Sequence, residues 1–182
     1  MSDGYMLEHA INEIAFELVN EKILDENEIN KLLGVLSNDG VYAMWVYALD
    51  KLDKINWDFH ADKNKLKDVR IFKLLEKISK LDKFITRTLE YDNLLEQISC
   101  LSKKIKEIDE KIGALKKEKE NKKEEEIKQW QIEKEKVEKE RRKKLNKYFL
   151  DLADNLENLL YFKELFEKTL IYARYHARAM ED

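Results

Sequence analysis

Three kinds of side chain in this sequence could do chemistry: clustered cations, scattered histidines and one cysteine. The cations are the most organised. Lys63, Lys67 and Arg70 recur at steps of four and three, which puts them on one face of a helix, and Lys73, Lys77 and Lys80 form a second such row. Lys83 and Arg87 continue the segment. Residues 63–87 hold 9 basic and 3 acidic residues, a net of +6. Residues 1–62 hold 4 basic and 13 acidic residues, a net of −9, and residues 88–182 hold 22 of each. A row of ammonium and guanidinium groups in such excess suits a phosphate backbone, where each cation releases condensed counterion. The plain alternative is a solvated surface, on which lysines balance glutamates.

Two further basic groups stand beyond this segment. Arg141, Arg142, Lys143, Lys144 and Lys147 are close together, with Arg142 the candidate phosphate contact. At the C-terminus Tyr172, Arg174, Tyr175, His176 and Arg178 mix rings with cations, a combination that stacks on bases and pairs with phosphate. Cations in the last turn of a helix account equally well for Arg174 and Arg178.

The histidines and the cysteine do less. His9, His60 and His176 lie on separate segments, and no Glu-x-x-His motif of the kind that builds a di-iron bundle site occurs. Cys100 sits in a helical pattern and is expected to be a small apolar filler. No glycine-rich phosphate loop and no Gly-x-Ser-x-Gly elbow is present. The expectation is a protein that is not an enzyme, with no metal, no cofactor and no small-molecule substrate.

The elements that must carry these residues are helices. The 182 residues contain no proline and four glycines, with 43% apolar and 40% charged residues, which gives ample material for a core and little for turns. The apolar spacing predicts helices over about 3–23, 25–36, 41–52, 64–81 and 154–180. Asp25 and Glu28 have the spacing of a capping box, and Ser37, Asn38, Asp39 and Gly40 make the clearest turn. The helix from Val41 is apolar nearly all round and is expected to be central. Residues 53–62, with Trp57, Phe59 and His60, read as a packed connector. In the final helix Leu156, Leu159, Phe162, Phe166, Leu170, Ala173 and Ala177 form one inward stripe.

Between these helices the period tightens to 3.5. Tyr91, Leu94, Ile98, Leu101, Ile105, Ile108, Ile112 and Leu115 alternate steps of three and four. The seam lapses over residues 116–126 and resumes at Ile127, Trp130, Val137, Leu145, Phe149 and Leu152, with Lys134 and Arg141 at intervening seam positions. The long stems of those two can lie along the seam while their charges reach water. The two seams mirror each other about Asn121, since the residue numbers of paired positions always add to 242 or 243. This predicts an all-α fold: a compact helical bundle body, 1–88 plus 153–182, and a long antiparallel coiled-coil hairpin over 89–152. The alternative is one continuous helix paired with another chain, because neither glycine nor proline marks the tip.

The turn into an apolar helix, Leu36-Ser37-Asn38-Asp39-Gly40-Val41-Tyr42-Ala43-Met44, and the closing helix, Leu170-Ile171-Tyr172-Ala173-Arg174-Tyr175-His176-Ala177-Arg178, resemble the small helical subunits of type III CRISPR–Cas effector complexes, the Cmr/Csm small-subunit group. The long insertion departs from that pattern. The resemblance implies a non-catalytic subunit of an antiviral ribonucleoprotein. Such a subunit stacks with other subunits and with copies of itself along guide and target RNA, contacting the backbone through Lys and Arg. On this reading copies meet through the acidic N-terminal region of one and the basic segment of the next. The other reading is a coiled-coil adaptor or scaffold that binds proteins and no nucleic acid. The single cysteine, the absence of a basic and apolar leader and the lack of a ~20-residue apolar run lead to an expected cytoplasmic setting without membrane partners. The Lys/Glu/Ile-rich, proline-free mixture is also one found in thermophile proteins.

Overall fold

The computed structural model describes residues 3–52, 54–57, 61–85, 88–117 and 123–180. Among the described residues there is no strand, and the chain is all-α. Its helices are α1 (Asp3–Asn20), α2 (Glu26–Asp39), α3 (Val41–Lys51), α4 (Lys63–Asp68), α5 (Arg70–Ser79), a 3-10 turn (Asp82–Phe84), α6 (Tyr91–Lys117), α7 (Glu124–Ala153) and α8 (Leu156–Ala179). They fall into two units. The first comprises Met1–Lys54, Asp68–Tyr91 and Tyr148–Asp182, the second Ile55–Lys67 and Asp92–Lys147.

The first unit starts from strong local signals. The Asp25 carboxylate accepts the Glu28 N–H at 2.7 Å and the Glu28 carboxylate accepts the Asp25 N–H at 3.0 Å, so the expected capping box opens α2. Gly40, at φ 91°, supplies the left-handed backbone between α2 and α3, and its N–H reaches the Val35 and Leu36 carbonyls. α8 packs on α1 and α2, and α3 on α2. Ile11, Ile14 and Leu18 of α1, Leu32 and Leu36 of α2, and Phe162, Phe166 and Leu170 of α8 are buried. The Trp45 and Phe149 rings stack with centroids 4.7 Å apart. The buried Asp82 carboxylate accepts the Leu89 N–H at 2.7 Å and the Tyr148 hydroxyl.

Three expectations for this unit are corrected. The helix predicted over 64–81 is broken at Val69, which is extended (ψ 129°) and caps α5. A β-branched residue leaves the helix at little cost, and the break separates Lys67 of the second unit from Arg70 of the first. α3 is not enclosed: Val41, Met44, Trp45 and Ala48 are buried, but Tyr42 and Val46 are exposed. Leu156, read as part of the inward stripe, is 67% exposed, because α8 begins there after its Asn155 cap and the buried stripe starts nearly two turns later at Phe162.

In the second unit Ile105, Ile108, Ile112 and Val137 form a narrow apolar cluster, with Leu101, Ile127 and Trp130 against it. Rising positions on α6 meet falling positions on α7: Ser102 meets Arg141, Lys104 meets Glu133, and Lys111 lies 4.3 Å from the Trp130 ring centre. The expected turn point Asn121 lies outside the described residues. Residues 55–67 group with these helices, not with the bundle, and contacts within the unit explain why. The Ser99 hydroxyl donates to the Ala61 carbonyl at 2.6 Å, and the Arg141 guanidinium lies 3.9 Å from the Trp57 ring centre. Arg141 therefore does not reach water as its seam position suggested. It is buried and donates to the Ser102 hydroxyl at 3.1 Å. Cys100 is exposed rather than a filler.

Candidate interaction surfaces

The break at Val69 decides what the basic residues do. In the first unit Arg70 turns inward: its Nε donates to the Ile23 carbonyl at 3.0 Å, one terminal nitrogen donates to the Leu52 carbonyl at 3.4 Å, and the other donates to Glu28. Glu28 thus closes the capping box and holds Arg70 together. Lys77 is buried between Glu21 (2.6 Å) and Glu17 (3.2 Å), and Lys80 donates to both oxygens of Glu17. Burial pushes the Glu17 carboxyl up, but hydrogen bonds from Lys80 and Lys77 outweigh it and hold the group below its ordinary value. Burial likewise pulls Lys77 down, and its bonds to Glu21 and Glu17 reverse that and raise it. Arg178 pairs with Glu26 at 2.7 Å. Lys168 and the Tyr172 hydroxyl both donate to Glu8 at 2.6 Å, and they hold its carboxyl below its ordinary value.

The other candidates separate. Lys73 is half-buried, and Lys83 is exposed with its ammonium 5.0 Å from the Phe84 ring centre. Arg174 is half-buried, 5.5 Å from the Tyr175 ring centre, and its Nε is buried without a hydrogen-bond acceptor. Arg87 lies outside the described residues. In the second unit Lys63 and Lys67 share Asp92 at 3.4 and 2.7 Å, which holds that carboxyl down, and Arg142 is exposed. The candidates therefore do not form one basic face. The acidic N-terminal region and the basic segment, expected to meet between copies, meet inside one chain through Glu17, Glu21 and Glu28.

Charge is still segregated, by unit. The first unit holds 14 basic and 22 acidic residues, a net of −8, and the second 21 and 16, a net of +5. Among the described residues no group of three or more His, Cys, Asp or Glu could hold a metal ion. His9 is exposed, the His176 ring meets Phe16 edge-on at 5.7 Å, and His60 lies outside the described residues.

The surface that the cation pattern did not point to is apolar. Leu156, Leu160 and Tyr161 stand exposed on the first turns of α8. Beside them a groove of about 480 Å³ is lined by Phe84, Ile85, Glu157, Asn158, Leu160, Tyr161 and Glu164. The sequence signal was Leu160 and Tyr161, apolar residues of α8 left outside the expected inward stripe. A larger cavity of about 640 Å³, near Val19, Leu24 and Met180, includes Glu26 and Glu28, whose charges Arg178 and Arg70 already hold.

The chain matches no family model, no curated protein and no solved structure. Among the described residues no helix is long and apolar enough to cross a membrane.

Proposed function

We propose that the chain is a non-catalytic scaffold that binds other proteins. The observation that carries this reading is the contrast between its cations and its apolar surface. Arg70, Lys77, Lys80 and Arg178 are held by Glu28, Glu21, Glu17 and Glu26, while Leu156, Leu160 and Tyr161 stand in water. A phosphate backbone would have to displace the half-buried carboxylates of Glu17 and Glu28 from Lys77, Lys80 and Arg70, and removing one partner of such a pair leaves the other partly desolvated and unpaired. A protein partner covers the apolar row without that cost and gains from each leucine it buries. In this reading the antiparallel contacts between α6 and α7 belong to a coiled-coil hairpin that extends the binding surface. A cytoplasmic setting belongs to the proposal as well, and the free, exposed thiol of Cys100 suits a reducing compartment.

A ribonucleoprotein subunit is the second reading, and a specific observation favours it: Arg142, Lys143 and Lys139 are exposed together on α7, in the unit that carries the net of +5. Size-exclusion chromatography of the protein from its native host, with absorbance read in the protein and nucleic-acid bands, separates the two. A complex free of nucleic acid is the result expected of a scaffold. Co-eluting RNA that resists nuclease-free washing at moderate salt would replace it with the second reading.

A further inference from the structure

A groove lies beside α8 in the first unit. Its floor is apolar and aromatic, from Ile85, Phe84, Leu160 and Tyr161, and its edge carries Glu157 and Glu164. Both glutamates are exposed. They stand seven residues apart, two helical turns or ~10 Å along the axis. Lys163, which could have neutralised Glu164, instead donates to the Ser37 carbonyl at 2.9 Å and approaches Glu167. Lys83 keeps its ammonium 5.0 Å from the Phe84 ring centre, and among the described residues the lining of the groove carries two glutamates and no lysine or arginine. On a different face of α8, Phe162, Phe166, Leu170 and Ala173 are buried against the bundle, so Leu160 and Tyr161 lie outside the covered stripe.

We propose that this groove docks a basic amphipathic helix of another protein, a partner that seats an apolar side chain between Leu160 and Tyr161 and sets a lysine or arginine against each of Glu157 and Glu164. The inference rests on the scaffold reading and adds the chemistry of the partner. Charge complementarity selects the occupant. An acidic or neutral helix could bury the same leucines but would leave two carboxylates facing like charge or none. A helix fits better than an extended strand, because the groove runs along one helix and offers no free sheet edge, so side-chain ridges must interdigitate. The apolar seat is expected to set the affinity, and the two glutamates to set the sign of the partner and the salt dependence.

The test is a random peptide library of about 12 residues, long enough for three helical turns, displayed on phage and selected against the immobilised full chain. Selected peptides are expected to carry Lys or Arg about seven residues apart around a leucine or aromatic anchor. Leu160→Asp is expected to weaken them by about tenfold or more. The double variant Glu157→Gln with Glu164→Gln is expected to weaken them several-fold and to abolish their salt dependence, with the thermal melt of both variants unchanged because all three side chains are exposed. Peptides without basic enrichment, or binders indifferent to Leu160→Asp, overturn the proposal while leaving the scaffold reading in place, since they bind elsewhere on the chain. Recovery of no binder overturns the proposal too, and if RNA also co-purifies with the native protein the scaffold reading falls with it. A change in sedimentation of the free protein on Leu160→Asp would instead assign the face to a second copy of the chain.

Discussion

In the first unit ion pairs join α1 to α5 and its C-terminal end, in a body with an aromatic core, whereas in the second they flank a narrow aliphatic seam. Lys77 has a side chain only 10% exposed between Glu17 and Glu21, close to a body in which Trp45, Phe149, Phe162 and Phe166 are buried. Lys104 and Glu133 are 52% and 38% exposed, beside the seam of Ile105, Ile108 and Val137. The same residue types therefore have different consequences. A half-buried lysine must keep its carboxylates, because water cannot replace them, while an exposed one exchanges its partner for water at almost no cost. The first unit holds Arg70, Lys77 and Lys80 in this way and leaves apolar surface for others; the second, apart from the buried Arg141, keeps more of its charges in solvent.

The two cores should respond differently to truncation. Phe149→Ala removes a fully buried ring that stacks on Trp45, and should cost about 3–5 kcal/mol. Ile108→Ala should cost less, about 2–3 kcal/mol, because a two-helix seam can close over the gap. Urea denaturation of the two variants measures both. Equal costs would mean that the two interiors are packed alike.

Arg70→Ala comes next, at about 2 kcal/mol, because it leaves the Ile23 and Leu52 carbonyls and Glu28 without their donor. A lysine there should recover only part of the loss, since one ammonium cannot span the three acceptors of the guanidinium fork. It follows that replacing Lys67, Arg70, Lys73 and Lys77 together by alanine will not leave folding intact, although all four lie off the apolar positions Val69, Phe72, Leu75 and Ile78 of this segment. A quadruple variant as stable as wild type would return these residues to the solvent and restore them as phosphate ligands.

This is also where legibility in the sequence ends. The all-α class, the Asp25–Glu28 capping box, the turn at Gly40 and the apolar positions of α6 and α7 follow from local spacing, and spacing is physically determined by the helix period. Arg70 with Glu28, and Lys77 with Glu17, join residues more than forty positions apart, and no periodicity reports such pairs. Arg141 had a legible seam position, but its place under Trp57 depended on a connector whose path has no local signature. Leu156 and Leu160 show the opposite limit: periodicity marks a face as apolar without saying whether a neighbour covers it.

The smallest effects sharpen the contrast in charge. Glu17→Gln should lower stability at neutral pH, and the gap to wild type should close as pH falls. The folded carboxyl is held below its ordinary value of 4.5, so its stabilisation is complete well above that pH and is lost as pH falls through the lower folded value. Lys77 is raised above its ordinary 10.5, so its own contribution persists through neutral pH and is lost only as pH rises through the folded value. Glu133→Gln on the second unit should leave the melt within experimental error over the same acid range. Melts of both variants between about pH 7 and 3 check the pair, and a Glu17→Gln gap that stays constant would show packing rather than charge.

The central claim is that the chain's own carboxylates have taken the cations that a phosphate backbone would need. Titration of the wild-type protein against a fluorescently labelled single-stranded RNA of mixed sequence, read by anisotropy at physiological salt, tests it most directly. No saturation is expected below ~10 μM, the range of weak, non-specific contact. Saturable binding well below that concentration, with an affinity that falls steeply as salt rises, would contradict it.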